Sequence, residues 1–194
     1  MTQKKGIIVH EEIISRIKDR FDKLVKPIEG MGYCLYAAHA AATELKESGI
    51  DPLIQAGTMM WPRVPPERIP HTKEEYESSN EQTHFSFIFT KSGLRAARLG
   101  LLPEMHVWVV IEPEKPTVID FSTKFLPSIS ERILGAKWEG PLPPDYIWCQ
   151  ELPKDVYYQA DPLATLLAMK LLYDKFKPDY IPEQVSSRFQ QLPQ

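Results

Sequence analysis

Long apolar runs and closely spaced cysteines are both missing from this 194-residue chain. Nowhere do about 18 apolar residues run together, as a membrane-spanning helix would need. The apolar run at residues 7–9 is too short for the core of a secretory signal. The only cysteines, Cys34 and Cys149, lie 115 positions apart, which does not suggest a disulfide framework. We therefore expect a soluble, cytoplasmic protein with free thiols and no membrane partner.

An excess of positive charge and the common cofactor motifs are also missing. The formal net charge is −3, whereas non-specific nucleic-acid binding needs a surplus of Lys and Arg. The chain has no HExxH pair and no CxxC motif, so a metal site is not expected. Residues 30–32 contain two glycines, but the strand before them and the third glycine of a phosphate-binding loop are lacking. We expect no cofactor, no metal and no nucleic-acid partner.

The composition is that of an ordinary globular protein, with 43% apolar and 25% charged residues. A chain of this length can bury a full core, so we predict a single domain over residues 1–194. Hydrophobic periodicity predicts an α+β fold. The predicted helices are residues 11–25, 33–48 and 162–177, and the predicted strands are 53–60, 83–90, 105–111, 117–122 and 146–150.

Residues 62–82 form a polar, proline-rich stretch between the first two predicted strands. At about 20 residues it is longer than most connections in compact domains, and such a length is typical of a lid, a binding loop or disorder.

Cys34 falls in the first turn of the second predicted helix. At a helix start the backbone N–H groups lack partners within the helix, and the helix dipole favours a negative charge. A thiol in that position ionises more readily than in free solution, and the thiolate is the nucleophilic form. The sequence therefore indicates Cys34 as a nucleophile whose own N–H is available to a developing oxyanion.

His106 and Asp120 occupy the two strands that flank residues 112–116, a short proline-bearing connection that predicts an antiparallel hairpin. A turn centred near Pro113 would place His106 directly opposite Asp120, with the side chains about 5 Å apart at Cβ and on one face. A carboxylate there can hold the imidazole tautomer whose other nitrogen faces a thiol. The alternating positions expected to face the core are Val107, Val109, Ile111, Ile119 and Phe121.

Each of these residues also has an ordinary structural interpretation. A cysteine on a helical stripe is usually a small core residue, a lone histidine in a strand is commonly structural, and an aspartate after a strand often caps a turn. His84 could replace His106, although no acid on a neighbouring predicted strand faces it. Cys149 is interpreted as a buried, unreactive residue. Only the combination of Cys, His and Asp in these three positions favours a catalytic triad.

Three short motifs resemble the bacterial transglutaminase-like branch of the papain-like cysteine enzymes, whose catalytic core is shared with arylamine N-acetyltransferases. The motifs are Gly-Tyr-Cys at residues 32–34, Met-His-Val-Trp-Val at 105–109 and Val-Ile-Asp-Phe-Ser-Thr at 118–123. The resemblance covers about residues 30–123, which would form the core, flanked by helices 11–25 and 162–177. It implies a papain-like or transglutaminase-like fold in which a central Cys-bearing helix packs on an antiparallel sheet. It also implies Cys34 as nucleophile, His106 as general base and acid, and Asp120 as the orienting residue.

The oxyanion donor departs from the papain-type pattern. Papain-like proteases carry a glutamine upstream of the cysteine, but no Gln or Asn lies between Lys4 and Ile54 in this chain. The second donor would then be Tyr33 or a loop backbone, and Trp108 and His84 are further candidates for substrate binding. This departure argues against a papain-type protease.

The favoured function is thiol-dependent acyl transfer through a Cys34 thioester. The substrate would be a peptide, an amide or another acyl compound, and the acyl group would pass either to water or to an amine. The alternative is a non-catalytic binding protein that retains the fold and uses residues 62–82 as its contact surface. Fast alkylation of Cys34 near pH 6 favours the enzyme, and a slow thiol favours the binding protein.

Overall fold

The computed structural model describes residues 3–25, 32–79, 81–99, 101, 103–112 and 114–191. Its helices are α1 (Gln3–Leu24), α2 (Tyr33–Glu47), α3 (Lys73–Ser78), α4 (Lys91–Arg98), α5 (Leu126–Leu134), α6 (Pro162–Phe176) and α7 (Glu183–Ser186). Its strands are β1 (Leu53–Pro62), β2 (His84–Phe87), β3 (His106–Ile111), β4 (Thr117–Asp120), β5 (Ile147–Cys149) and β6 (Tyr157–Ala160). Every strand pairing is antiparallel. The predicted α+β class with an antiparallel sheet is confirmed.

The sheet is organised around β1, which pairs with β2, β3 and β6, while β4 pairs with β3 and β5 pairs with β4. Gly57 is paired with both β3 and β6, and Met59 is paired with both β2 and β6. A residue has one partner on each edge of its strand, so β6 lies along one edge of β1 and β2 and β3 share the other. β2 and β3 therefore run in line and in the same direction. Residues 88–105, which include α4, leave the sheet between them.

One face of the sheet packs against α2 and α6, and α1 packs against α2. The buried side of α2 is mostly alanine, which allows the helix to lie close to the strands. The sheet side of this core includes all five residues expected to face it, Val107, Val109, Ile111, Ile119 and Phe121. That part of the sequence pattern is confirmed.

The other face of the sheet carries a second, smaller core, which α5 covers. Its buried residues are Met59, Trp61, Phe85, Leu126, Ile129, Ile147 and Val156. Because both faces are covered, all six residues of β3 are buried. A strand buried on both faces is rich in apolar residues throughout, so a histidine at the start of β3 is placed in a largely dry environment.

The first helix is longer than predicted, because it begins at Gln3 and not at residue 11. Gly6 and the β-branched residues 7–9 are poor helix formers. Extending an existing helix is nevertheless much easier than nucleating one, so the stronger segment that follows can carry them. Pro27 follows this helix in the sequence and disfavours its continuation, but it lies outside the described residues.

The predicted strands are all present, with ends that differ by at most three residues, but β6 and the helices α3, α4, α5 and α7 were not predicted. The last predicted helix corresponds to α6, and its N-cap Asp161 accepts hydrogen bonds from the N–H groups of Leu163 and Ala164. This is the capping arrangement that an acid before a proline predicts.

The proline-rich stretch at residues 62–82 has two parts with different surroundings. In the first part Val64 is fully buried, and the carbonyl of Arg63 accepts hydrogen bonds from the N–H groups of Glu139 and Gly140, both at 2.8 Å. The Arg68 guanidinium is bound by Glu81 and Glu139. The second part contains α3, and every residue from 71 to 78 is exposed.

Limited digestion with trypsin should distinguish the two parts. We expect cleavage after Lys73 well before cleavage after Arg63 or Arg68, because local opening is easiest where few buried contacts must be broken. Mass spectrometry of the first fragments measures the order. First cuts after Arg63 or Arg68 would contradict the anchored arrangement.

Candidate active site

The start of α2 positions Cys34. Gly32 is the N-cap and adopts φ 121°, ψ 3°, a conformation that side-chain-bearing residues rarely adopt. Its carbonyl accepts the N–H groups of Leu35 and Tyr36, so the helix begins without a side-chain cap. The ring of Tyr33 stacks on Phe125 at 4.4 Å between centroids. Cys34 is then half-buried in the first turn, as the sequence predicted.

His106 and Asp120 meet in the interior. His106 Nε2 and Asp120 Oδ2 are 2.6 Å apart, and the two residues are only 1% and 2% exposed. A hydrogen bond of this length between an imidazole and a carboxylate is typical of a charge-assisted contact. The expectation that these side chains share one face of adjacent antiparallel strands is confirmed by this contact.

The predicted register of the hairpin was wrong by two residues. Ile111 pairs with Thr117 and Val109 with Ile119, so the turn is centred at residue 114 and not at Pro113. Asp120 is therefore diagonal to His106 and not directly opposite it. A shift of two preserves the face to which every side chain points, and diagonal neighbours in an antiparallel pair remain within reach of long or aromatic side chains.

The Asp120 carboxylate accepts four hydrogen bonds. Oδ1 accepts from the backbone N–H and the hydroxyl of Ser122, at 2.8 and 2.7 Å, and Oδ2 accepts from His106 and from the Tyr158 hydroxyl at 2.7 Å. An ionised carboxylate has about four acceptor sites, so these donors occupy all of them. Burial raises the pKa of Asp120, but the charge of His106 and the hydrogen bonds from His106 and Ser122 outweigh it, and the net pKa is lowered.

Aromatic rings enclose the His106 imidazole. Phe87 and Trp108 stack on it at 5.8 and 6.2 Å between centroids, and Tyr158 meets it edge-on at 5.6 Å. Trp108, a predicted substrate-binding residue, is 1% exposed and donates its indole N–H to Gln55. It supports the imidazole from within the core and is not among the residues that line the adjoining cavity.

The Cys34 thiol lies beside the His106 ring. Burial lowers the pKa of His106, but the charge and hydrogen bond of Asp120, followed by the hydrogen bond and charge of Cys34, raise it to about 10. Within the described part of the chain, however, His106 Nδ1 is a buried nitrogen without a hydrogen bond of ordinary distance and angle. The thiol is thus a neighbour of the ring but does not form a well-aligned hydrogen bond with Nδ1. Hydrogen bonds in active sites are often long or poorly aligned before substrate binds.

A cavity of about 430 Å³ opens next to Cys34 and His106. Tyr33 and Ser122 also line it, together with residues from β2, from the segment before β3 and from α5. Cys34 and His106 therefore border space that a small molecule or a chain end can enter, although His106 is almost fully buried, and Asp120 does not line it.

The remaining candidates lie elsewhere. His84 is half-buried, with its Nδ1 3.0 Å from the Thr83 hydroxyl and its ring near Tyr157, and it does not appear among the described lining residues. The pKa of His84 is lowered by burial. Cys149 is half-buried on β5, and burial raises the pKa of its thiol.

Sequence reasoning missed Tyr158, which lies on the unpredicted strand β6. Residues 157–160 contain two tyrosines in a short run between an Asp and an Asp-Pro pair, too brief for a clear alternation. Only the pairing of β6 with β1 turns Tyr158 toward Asp120. Ser122 belonged to a motif noted in the sequence, but nothing local indicated that both its N–H and its hydroxyl bind Asp120.

Comparison with protein-family models, with curated proteins and with solved structures finds no match to this chain. Among the residues described, no group of three or more His, Cys, Asp or Glu side chains is arranged to hold a metal ion. None of the helices that the structure describes has the length and apolar character required to cross a bilayer.

Two histidines should not titrate in the pH range usual for histidine, because the pKa of one is raised and the pKa of the other is lowered. We expect His106 to remain protonated from about pH 5 to about pH 8, because its pKa is raised by Asp120 and Cys34. His39 should remain neutral over the same range, because burial and the charge of Arg20 lower its pKa to about 4. Imidazole NMR shifts, assigned with His106→Gln and His39→Gln, measure both. Titration of either ring within that range would contradict the arrangement.

Tyr158→Phe removes one hydroxyl and leaves the buried Asp120 carboxylate with one donor fewer. We expect a loss of about 1.5–3 kcal/mol in the free energy of unfolding, the usual contribution of a hydrogen bond to a charged group. The matched control is the neighbouring Tyr157→Phe, since Tyr157 is 55% exposed and its change should stay within about 0.5 kcal/mol. Urea denaturation measures both, and equal losses would show that the Tyr158 hydroxyl has no special role.

Proposed function

We propose that this protein is a cysteine-dependent acyl-transfer enzyme, an amide hydrolase or acyltransferase, with Cys34, His106 and Asp120 as its triad. The observation that supports this most is the placement of a buried His106–Asp120 pair, with a fully hydrogen-bonded carboxylate, beside a thiol at the wall of an open cavity. A buried ion pair is costly to desolvate and gives little net stability, so its position next to a nucleophile points to chemistry.

In the first half-reaction the Cys34 sulfur, as thiolate, attacks the carbonyl carbon of an amide. An S–C bond forms, and the electrons of the C=O double bond move to oxygen. His106 then gives its Nδ1 proton to the nitrogen of the leaving amine as the C–N bond breaks. The products of this step are the free amine and a thioester on Cys34. Asp120 keeps the imidazole oriented through Nε2, which leaves Nδ1 directed at the reacting atoms.

The second half-reaction consumes the thioester. Neutral His106 accepts a proton from water or from an amine through Nδ1, and the oxygen or nitrogen attacks the thioester carbon. The S–C bond breaks, the thiolate and the imidazolium are restored, and a carboxylic acid or a new amide leaves. The backbone N–H of Cys34, in the first turn of α2, can donate to the oxyanion in both half-reactions.

The resemblance to the transglutaminase-like branch of papain-like enzymes extends this proposal to the fold. A helix that begins at the cysteine and packs on an antiparallel sheet bearing the histidine and the aspartate supports that relationship. The absence of an upstream glutamine or asparagine favours the transglutaminase-like or acyltransferase variants over a papain-type protease.

Alkylation of Cys34 at different pH values tests the proposal directly. In a Cys149→Ser background, which leaves one thiol, iodoacetamide should modify Cys34 rapidly near pH 6, where an isolated thiol with a pKa of about 8.5 reacts slowly. Cys34→Ala should lose the adduct seen by intact-protein mass spectrometry. His106→Ala should lower the rate near pH 6 by about tenfold or more, because a neighbouring imidazolium favours the thiolate.

The matched control is His84→Ala, since His84 lies outside the cavity. It should leave the pH profile of alkylation unchanged. If the His106→Ala profile coincides with that of the parent, the imidazole does not act on the thiol and the triad is rejected. A thiol that is slow in every variant would favour the non-catalytic binding protein.

A further inference from the structure

The cavity beside Cys34 indicates which acyl groups the protein accepts. We propose that the acyl part of the substrate is an uncharged, apolar group of short to medium length, and that carboxylate-bearing acyl groups are excluded. This inference rests on the proposed function, because it assigns the cavity to the acyl side of the thioester.

Apolar side chains form most of the cavity wall. They come from three separate parts of the chain, namely Phe85 and Phe87 of β2, Met105 before β3, and Leu126, Ile129 and Ile133 of α5. The volume of about 430 Å³ lies in the range of about 300–1,000 Å³ usual for small-molecule sites. Each methylene of an acyl chain that leaves water for such a wall is stabilised by about 0.8 kcal/mol, which corresponds to about fourfold in affinity.

Charge in the cavity selects against anions. Apart from His106, no lysine, arginine or histidine occurs among the described lining residues, and the acidic residue present is Glu104. Its carboxylate is held near the Ile88 N–H, at 3.4 Å. A carboxylate at the far end of the acyl group would lose water without gaining a cation, since the charge of His106 is already paired with Asp120, and an unpaired buried charge is strongly unfavourable. A methyl group at the far end of the acyl chain carries no charge, so it loses no such hydration energy when it enters the cavity.

Binding to the Cys34→Ala protein tests the inference without requiring catalysis. The probes are acetamide, butanamide, hexanamide and the monoamide of adipic acid, which matches hexanamide in chain length but ends in a carboxylate. NMR titration should show affinity rising about two- to fourfold per methylene, with the adipic monoamide at least about tenfold weaker than hexanamide. Affinity independent of chain length, or equal affinity for the last two amides, would overturn the inference.

Introducing a cation into the wall should reverse the selection. Ile133 is 48% exposed and lines the cavity. Ile133→Lys therefore places a charge at the rim of the cavity and leaves no void in the hydrophobic core. We expect the affinity ratio of adipic monoamide to hexanamide to rise at least about tenfold. The matched control Leu142→Lys, at a residue 76% exposed and outside the described lining, should leave the ratio unchanged. An unchanged ratio in Ile133→Lys would place the acyl group elsewhere.

Acylation of the parent protein separates failure of this inference from failure of the proposed function. With p-nitrophenyl acetate, butyrate and hexanoate, mass spectrometry detects the acyl adduct on Cys34, and nitrophenol release gives its rate. No adduct with any ester, together with the expected amide binding, would reject the enzyme and retain the apolar site. Adducts formed at rates independent of chain length would reject the apolar acyl site and retain the enzyme.

Discussion

The hydrogen bond between His106 and Asp120 is the interaction on which the site depends. Both side chains are almost inaccessible to water, and a buried carboxylate is stable only when its oxygens are fully hydrogen-bonded. Ser122 supplies two of the donors from the same hairpin, and Tyr158 supplies another from β6. The need to satisfy one carboxylate therefore links the β3–β4 hairpin to the far edge of β1, and the orientation of the imidazole follows from that link.

Close packing of α2 completes the arrangement. Its buried side is mostly alanine, so the helix lies near the strands and its first turn reaches the start of β3. Gly32 allows the chain to enter the helix through a positive φ. Cys34 thus reaches the imidazole from the start of α2, while Asp120, Trp108 and Tyr158 contact the ring from the strands. Cys34 and His106 both line the cavity.

The sequence could predict those parts of the site that depend on short-range residue patterns, such as strand alternation and the start of a helix. The alternation in residues 105–111 and 117–122 predicted which side chains face the core, and the Gly-Tyr-Cys start predicted the position of Cys34. The register was missed by two residues, because a proline-bearing loop of five residues can be centred in more than one way and an even shift leaves the alternation unchanged. β6 and Tyr158 could not be predicted, since a four-residue strand is defined by its long-range pairing with β1 and not by its own composition. The helix α5, which forms one wall of the cavity, was also missed. It follows a 3-10 turn and has no side-chain cap, so the sequence carries no local signal for its start.

β2 and β3 are separate strands, and residues 88–105 connect them outside the sheet. Both strands take their register from β1, so the hydrogen-bond ladder holds Phe87 and His106 in place on either side of the gap, independently of what connects them. Residues 88–105 supply Glu104 and Met105 to the cavity and can change in length or sequence without moving the imidazole. If the proposed function holds, this segment is a place where acyl specificity can change while Cys34, His106 and Asp120 keep their positions.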